Sequence, residues 1–202
     1  MKSFKQFIKE SPYLMDGNLG SPNYSGYHTD SAVKRMYDIL MTKNVDGVDF
    51  LFVRLKADHG VIRVLTSSET DDTRFIIVGS LHMKSKMTFK SPYKNTVQVD
   101  RAHIESKYQG YGLFAYLYES LIHAGYVVAS DATQFEPGKA LWKRIARDSA
   151  GNGLKVRLFD GDDVLQYGGK DIIYDGSNVP DSLIWSTGQD YSGFNIVLIA
   201  SK

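Results

Sequence analysis

Residues 108–122 read YQGYGLFAYLYESLI, and two glycines, Gly110 and Gly112, stand at the mouth of an amphipathic helical pattern. Glycine costs helix propensity at such a place, so something must offset it. The first N–H groups of a helix have no intrahelical partners, and the aligned peptide dipoles favour an anion there. With no Cβ at 110 and 112, a phosphate oxygen can approach the backbone closely. A phosphate or pyrophosphate cradle is one reading. A tight strand-to-helix turn, in which the glycines only relieve strain, is the other. The spacing of two glycines does not by itself choose between them.

The remaining residue types narrow the chemistry. The chain has no cysteine, which removes disulfides, thiolate nucleophiles and cysteine metal sites and fits a reducing compartment. His28, His59, His82, His103 and His123 are scattered without ligand spacing, so no metal site is expected. His103, near a strand end, has the titration range of a general base and equally suits a structural hydrogen bond. Lysine plus arginine number 24 against 23 for aspartate plus glutamate, so no net basic field draws the chain to nucleic acid or an anionic membrane. No apolar run approaches the ~20 residues of a membrane span, and residues 1–10 lack the apolar core of a secretory signal. With 202 residues, 43% of them hydrophobic, the chain can form one domain with a real core.

The elements that must position the glycine pair follow from periodicity. Phe4, Phe7 and Ile8 share one side of a short amphipathic helix over residues 1–10, and the Gly/Ser/Pro-rich residues 11–30 read as a linker or extended arm. Val33, Met36, Tyr37, Leu40 and Met41 predict a helix over 31–43, capped by Asp30 or Ser31. The period then changes to two. Residues 49–57 and 61–68 read as a hairpin turning at Asp58-His59-Gly60, followed by strands over 74–89 and 96–104. A helix over about 110–124, a short apolar strand at 126–130 and a helix over 137–148 with Pro137 at its start come next. Late strands are expected at 154–160 and 194–202, with weaker ones near Val164 and Leu183. Hairpin-length links between the early strands disfavour an all-parallel nucleotide fold. The expected class is α+β, with a mixed, mostly antiparallel central sheet flanked by helices. The arm and its helix would occupy residues 1–30, and the domain proper residues 31–202.

The run VQVDRAHIESKYQGYGLFAYLYESLIHAGYVVASDATQFEPGKALWKRI, residues 97–145, resembles the core of the GNAT family of N-acetyltransferases. That family carries a strand, a Gln/Arg-x-x-Gly-x-Gly/Ala loop opening a helix, a second strand and a second helix. In one register Gln109 fills the first slot, Gly112 the central one and Phe114, beside Ala115, the last. A shifted register fits Gly110 and Gly112 and puts Lys107 first. The resemblance implies the acyl-CoA N-acyltransferase fold and acetyl-CoA as co-substrate, with no metal. Backbone N–H groups of Gly110, Tyr111, Gly112, Leu113, Phe114 and Ala115, with Gln109, would hold the pyrophosphate. Ala102, His103 and Ile104 would bond the pantetheine as an added strand would. The strand at 126–130 would splay away to admit the thioester.

Acetyl transfer to an amine needs a base or ordered water for the amine proton, a donor for the oxyanion and a way for the thiolate to leave. The family's tyrosine slot aligns with Trp142, whose indole cannot serve as that acid. A slot holding a glutamate base in some members aligns with Ser130. The neighbouring Asp131 is therefore one candidate base and Glu105 another, with Asp100 and a water relay as rivals. Each of these carboxylates equally suits a cap or a solvated charge. The amine acceptor, protein or small molecule, is not legible, and a homodimer is allowed.

Ile8-Lys9-Glu10, within MKSFKQFIKES, is similar to the cleavable leaders of proteins packaged in the heads of T4-like phages. That similarity implies a bacteriophage protein, in the host cytoplasm or, if the leader is a packaging signal, inside the virion. A frayed or docked first helix explains the same residues. A protein that keeps the fold but has lost turnover, acting as a CoA-binding, structural or host-interaction protein, is the alternative to an enzyme. The run LTSSE at 65–69 raises a third class, ADP-ribosyl transfer, which leaves the glycine-led helix without a role.

Overall fold

A computed structural model describes residues 28–84, 91–130, 136–149, 151, 153–160, 163–185 and 196–202. The helix expected over 1–10, most of the arm and residues 85–89 of the expected third strand lie outside these. The chain divides into two compact units, residues 1–83 with 100–120, and residues 84–99 with 121–202.

In the first unit, β1 (His28–Thr29) leads into α1 (Asp30–Met36), β2 (Tyr37–Val45), β3 (Val48–Leu55), β4 (Asp58–Ser67) and β5 (Arg74–Met83). Then come the end of β6 (Thr96–Ile104), a 3-10 turn at Ser106–Tyr111 and the start of α2 (Leu113–His123). Strands β2 to β5 form an antiparallel meander, with β1 on β5 and β6 next to β5.

The helix expected over 31–43 is only half correct. It ends at Met36, Tyr37 turns extended (φ −129°, ψ 151°), and residues 37–45 form β2. Thr29, not Asp30 or Ser31, caps it, accepting from the Ala32 N–H at 3.3 Å. Pairing overrides the helical spacing: β2 runs against β3 from Tyr37↔Leu55 to Val45↔Val48. The hairpin closes on Asp46-Gly47, both with positive φ (52° and 82°), the dipeptide whose twist suits a two-residue turn. The next hairpin turns at Lys56–Ala57, two residues earlier than expected, because a bulge pairs Leu55 with Asp58.

One face of this sheet buries Val33, Tyr37, Val53, Leu65 and Ile77. The other presents Phe50 and Phe52, which meet Tyr108 and Tyr116 edge-on at 6.2 Å. Alternation along β3 accounts for the division, since Phe52 and Val53 must point to opposite faces.

β5 is bulged where Val64↔Gly79 gives way to Leu65↔Ile77, so Val78 is the extra residue. Its carbonyl accepts from the Glu105 N–H at 2.9 Å. A Cβ on Gly79 would collide with the Ile104 side chain and lie 3.0 Å from the His103 carbonyl oxygen, so only glycine lets β6 approach here. Farther along, Lys84 N–H donates to the Gln98 carbonyl at 2.8 Å. Six residue steps separate Val78 from Lys84, but seven separate Gln98 from Glu105. Antiparallel pairing allows no such mismatch, so β6 carries one extra residue, a bulge, between Gln98 and Glu105.

The second unit contains the start of β6, β7 (Val127–Ala129), α3 (Glu136–Ser149), β8 (Lys155–Asp160), β9 (Asp163–Val164), the hairpin of β10 (Gln166–Tyr167) and β11 (Lys170–Asp171), α4 (Asp181–Ile184) and β12 (Ile196–Ser201). Its strand order is β6-β7-β12-β8-β9. β6 and β7 are parallel, through Thr96↔Val127, Val97↔Val128 and Gln98↔Ala129. The last strand pairs β8 along six residues. Ala129, Phe159, Val197 and Ile199 cluster in its core, and Trp142 of α3 is also buried. Leu183, expected in a strand, lies in α4, a single turn led by Pro180 (φ −57°) and closed by Trp185 N–H on the Asp181 carbonyl. The chain is thus α+β, with a mixed, mostly antiparallel sheet.

Candidate functional site

The glycine pair belongs to a junction built in three steps. β6 ends at Ile104, buried, and Tyr108 N–H returns to the Glu105 carbonyl at 2.8 Å to open the 3-10 turn. The turn stops at Gly112, which sits in the left-handed region (φ 70°, ψ 22°), and α2 starts at Leu113. The helix therefore begins after both glycines rather than on them. Gly112 is explained by its backbone: any side chain there is strained. Gly110 is not; it is exposed and is not among the positive-φ glycines.

Aromatic rings fix the turn. Tyr108 is buried and Tyr111 lies 5.3 Å from Phe50, tilted by 60°, with 6.2 Å between the two tyrosines. Burial, above all, pushes the Tyr108 phenol up, so it stays protonated. Gln109 turns back and donates its amide to the Ile104 carbonyl at 3.2 Å, tying the turn to the strand end. Lys107, the rival for the first slot, points outward into an ion pair with Glu69. Its ammonium pKa is raised, chiefly by that hydrogen bond.

The expected cofactor residues divide by exposure. Ala102, His103, Gln109 and Tyr111 are half-buried, Gly110 is exposed, and Ile104, Gly112, Leu113, Phe114 and Ala115 are buried. Exposure at the junction is therefore greatest at Gly110, within the 3-10 turn and flanked by the half-buried Gln109 and Tyr111. Phe114, expected in the last slot of the glycine loop, turns its ring inward, 4% exposed. Of the candidate bases, Glu105 is half-buried and covalently continuous with the strand end, and Asp100 is exposed. Asp131 lies outside the described residues. Among the described residues no group of His, Asp or Glu could hold a metal ion, and no helix is long and apolar enough to cross a membrane.

No family model, curated protein or solved structure matches this chain. The site therefore rests on geometry.

Two features, one in each unit, have no counterpart among the expected residues. The Phe50–Tyr108–Tyr111 cluster joins residues far apart in the chain, and only the tyrosine-rich spelling of 108–118 hinted at it. Gln98, fully buried in β6, donates its amide to the Ser130 carbonyl at 2.9 Å. A glutamine inside an apolar strand pattern is the signal that could have drawn attention to it, because buried amides demand partners.

Proposed function

We propose that the chain is an acetyl-CoA-dependent N-acyltransferase. The observation that carries the reading is the strand–turn–helix–strand unit, β6, Gly110–Gly112, α2 and β7. Among the described residues β6 and β7 are parallel through Gln98↔Ala129, and β6 runs on to Ile104. An extended ligand such as pantetheine can bind a strand edge as an added strand would. The bulge in β6 falls in the same stretch, where bulges re-aim backbone groups. Ala102, His103 and Ile104 are the residues for that contact, and the exposed Gly110 backbone for the pyrophosphate.

In the reaction, the acceptor nitrogen attacks the thioester carbonyl, forming the C–N bond. The C–S bond then breaks, the thiolate leaves, and the proton lost by the amine passes to a base or to water. Glu105 and Asp131 are the candidates for that base. No covalent enzyme intermediate is needed.

Thiol release from acetyl-CoA with a panel of amines tests the reading, and release that requires both substrates is expected. Replacing the true base, by Glu105→Gln or Asp131→Asn, should lower kcat by roughly a hundredfold with little change in CoA affinity. A second reading, a CoA-binding protein without turnover, is favoured by Trp142, which stands at the expected tyrosine slot with no hydroxyl and is 1% exposed. Tight CoA binding with no thiol release for any amine would select it.

A further inference from the structure

β7 leaves its sheet by an exchange of main chain for side chain at Ser130. The antiparallel ladder between β7 and β12 runs through Ala200↔Val128 and Ile199↔Ala129. Its next pair would be Ser130 with Leu198, exchanging two main-chain hydrogen bonds. One is present: Ser130 N–H donates to the Leu198 carbonyl at 2.8 Å. The other is replaced. Leu198 N–H donates to the Ser130 hydroxyl oxygen at 2.9 Å, and the Ser130 carbonyl instead accepts from the Gln98 side-chain amide at 2.9 Å. All of this is dry: Gln98 and Leu198 are fully buried and Ser130 is 3% exposed.

In a regular strand the N–H and C=O of one residue point to the same neighbour. At Ser130 they do not, so its carbonyl has swivelled out of the ladder. The hydroxyl fills the place the carbonyl left, and Gln98 receives the carbonyl where it now points. Among the described residues Gln98 is also the last of β6 to pair with β7, opposite Ala129.

We propose that Gln98 and Ser130 are a positioning pair that turns the Ser130 carbonyl out of the β7–β12 ladder. The hydroxyl makes the swivel tolerable to β12, and the Gln98 amide holds the swivelled carbonyl. The pair thereby fixes the backbone at the end of β7, beside its parallel pairs with β6. The hydrogen-bond exchange stands without any functional reading. Its consequence for pantetheine rests on the acyltransferase proposal.

Four variants of the full chain test the pair: Ser130→Ala, Ser130→Thr, Gln98→Leu and Gln98→Leu with Ser130→Ala. Ser130→Ala removes the acceptor of a buried N–H and should lower the melting temperature by several degrees. Ser130→Thr keeps the hydroxyl and should restore most of it. In the Gln98→Leu background the carbonyl is released and can swing back to Leu198, so adding Ser130→Ala should cost less than it does alone. Strictly additive losses, or a Thr variant no better than Ala, would overturn the proposal. If Ser130→Ala does not fold, amide hydrogen exchange on Gln98→Leu decides instead. Leu198 should stay protected while the Ser130 region changes, and an unchanged pattern throughout contradicts the exchange. Acetyl-CoA titrated into wild type and Gln98→Leu reads the consequence, with at least fivefold weaker binding expected for the variant. Equal binding by both removes the pair's role at the site. Failure of wild type to bind acetyl-CoA defeats the acyltransferase reading and with it that role, while the stability cycle still decides the exchange.

Discussion

The two ends of β6 are held by different means. Toward Ile104 the fit is made by main chain: a bulge at Val78, a carbonyl accepting from Glu105, and Gly79 without the Cβ that would strike Ile104 and the His103 carbonyl. Toward Gln98 main-chain pairing is joined by a side-chain device, in which the Gln98 amide holds the Ser130 carbonyl and the Ser130 hydroxyl replaces that carbonyl toward Leu198. A main-chain device tolerates no added atom. A side-chain device tolerates substitution so long as the replacement presents the same donor or acceptor. The contrast predicts which changes at β6 are absolute and which are conditional.

The largest effect is expected at Gly79. Gly79→Val adds a Cβ and two methyls against β6 in a buried position, and should cost about 2–3 kcal/mol of stability by overpacking. Chemical denaturation measures this. A loss below the ~0.5 kcal/mol typical of surface changes would show that β6 is free to move there, and the contrast between its ends would fail.

Next comes a hydroxyl that contrasts with that of Ser130. The Tyr174 hydroxyl is buried with no hydrogen-bond partner among the described residues, and burial, seconded by Asp181 and Asp175, pushes the phenol up to about 12 from 10.0. A raised folded pKa means that the stability it contributes is whole below pH 10 and is lost as pH rises from 10 towards 12. The two-unit difference corresponds to about 2–3 kcal/mol at the alkaline end of that window. Tyr174→Phe should flatten this alkaline limb and leave neutral stability unchanged or slightly higher. A clear loss at pH 7 would mean that the hydroxyl has a task, as that of Ser130 does.

The smallest effect concerns His82 of β5. Burial lowers its pKa below 6.5, assisted by Arg101 and Arg63 and opposed by Asp58 and Asp100. His28 shifts the same way, through burial and then Arg63. A lowered histidine pKa contributes stability present above pH 6.5 and lost as pH falls through and below it. His82→Gln should therefore weaken the acid dependence of the melting temperature between pH 7 and 5. An unaltered slope would place the acid-sensitive group elsewhere.

Much of the fold was legible because it obeys local rules. Residues 96–104 alternate and form β6 with the expected limits, and β8 and α3 begin within one residue of expectation. Where local and non-local forces compete, the local rule misleads. Tyr37, Leu40 and Met41 fit a helical stripe, yet the ladder to β3 claims Tyr37 and Met41, with Leu40 as the bulged residue between its pairs. The Asp46-Gly47 dipeptide that closes that ladder was in plain view, and giving it precedence would have ended α1 early. At the site, the glycine pair was legible as a pair, but the division of labour was not. Gly112 answers to a left-handed turn and Gly110 does not, a distinction that lives in φ. The Gln98–Ser130 bond spans 32 residues, so a glutamine inside an apolar strand pattern marks one end of it and nothing local names the partner.

That division supplies the most direct test of the account, whose central claim is that the Gly110 backbone receives the pyrophosphate of acetyl-CoA. Gly112→Val would be ambiguous, because the left-handed backbone alone would destabilise it. Gly110→Val is clean, since the residue is exposed and its φ admits a side chain. Calorimetric titration of acetyl-CoA into the folded wild type and the Gly110→Val variant should show binding that weakens at least tenfold, about 1.4 kcal/mol, with melting temperatures within a few degrees. Equal affinity in the two proteins, or no binding by either, would contradict the account.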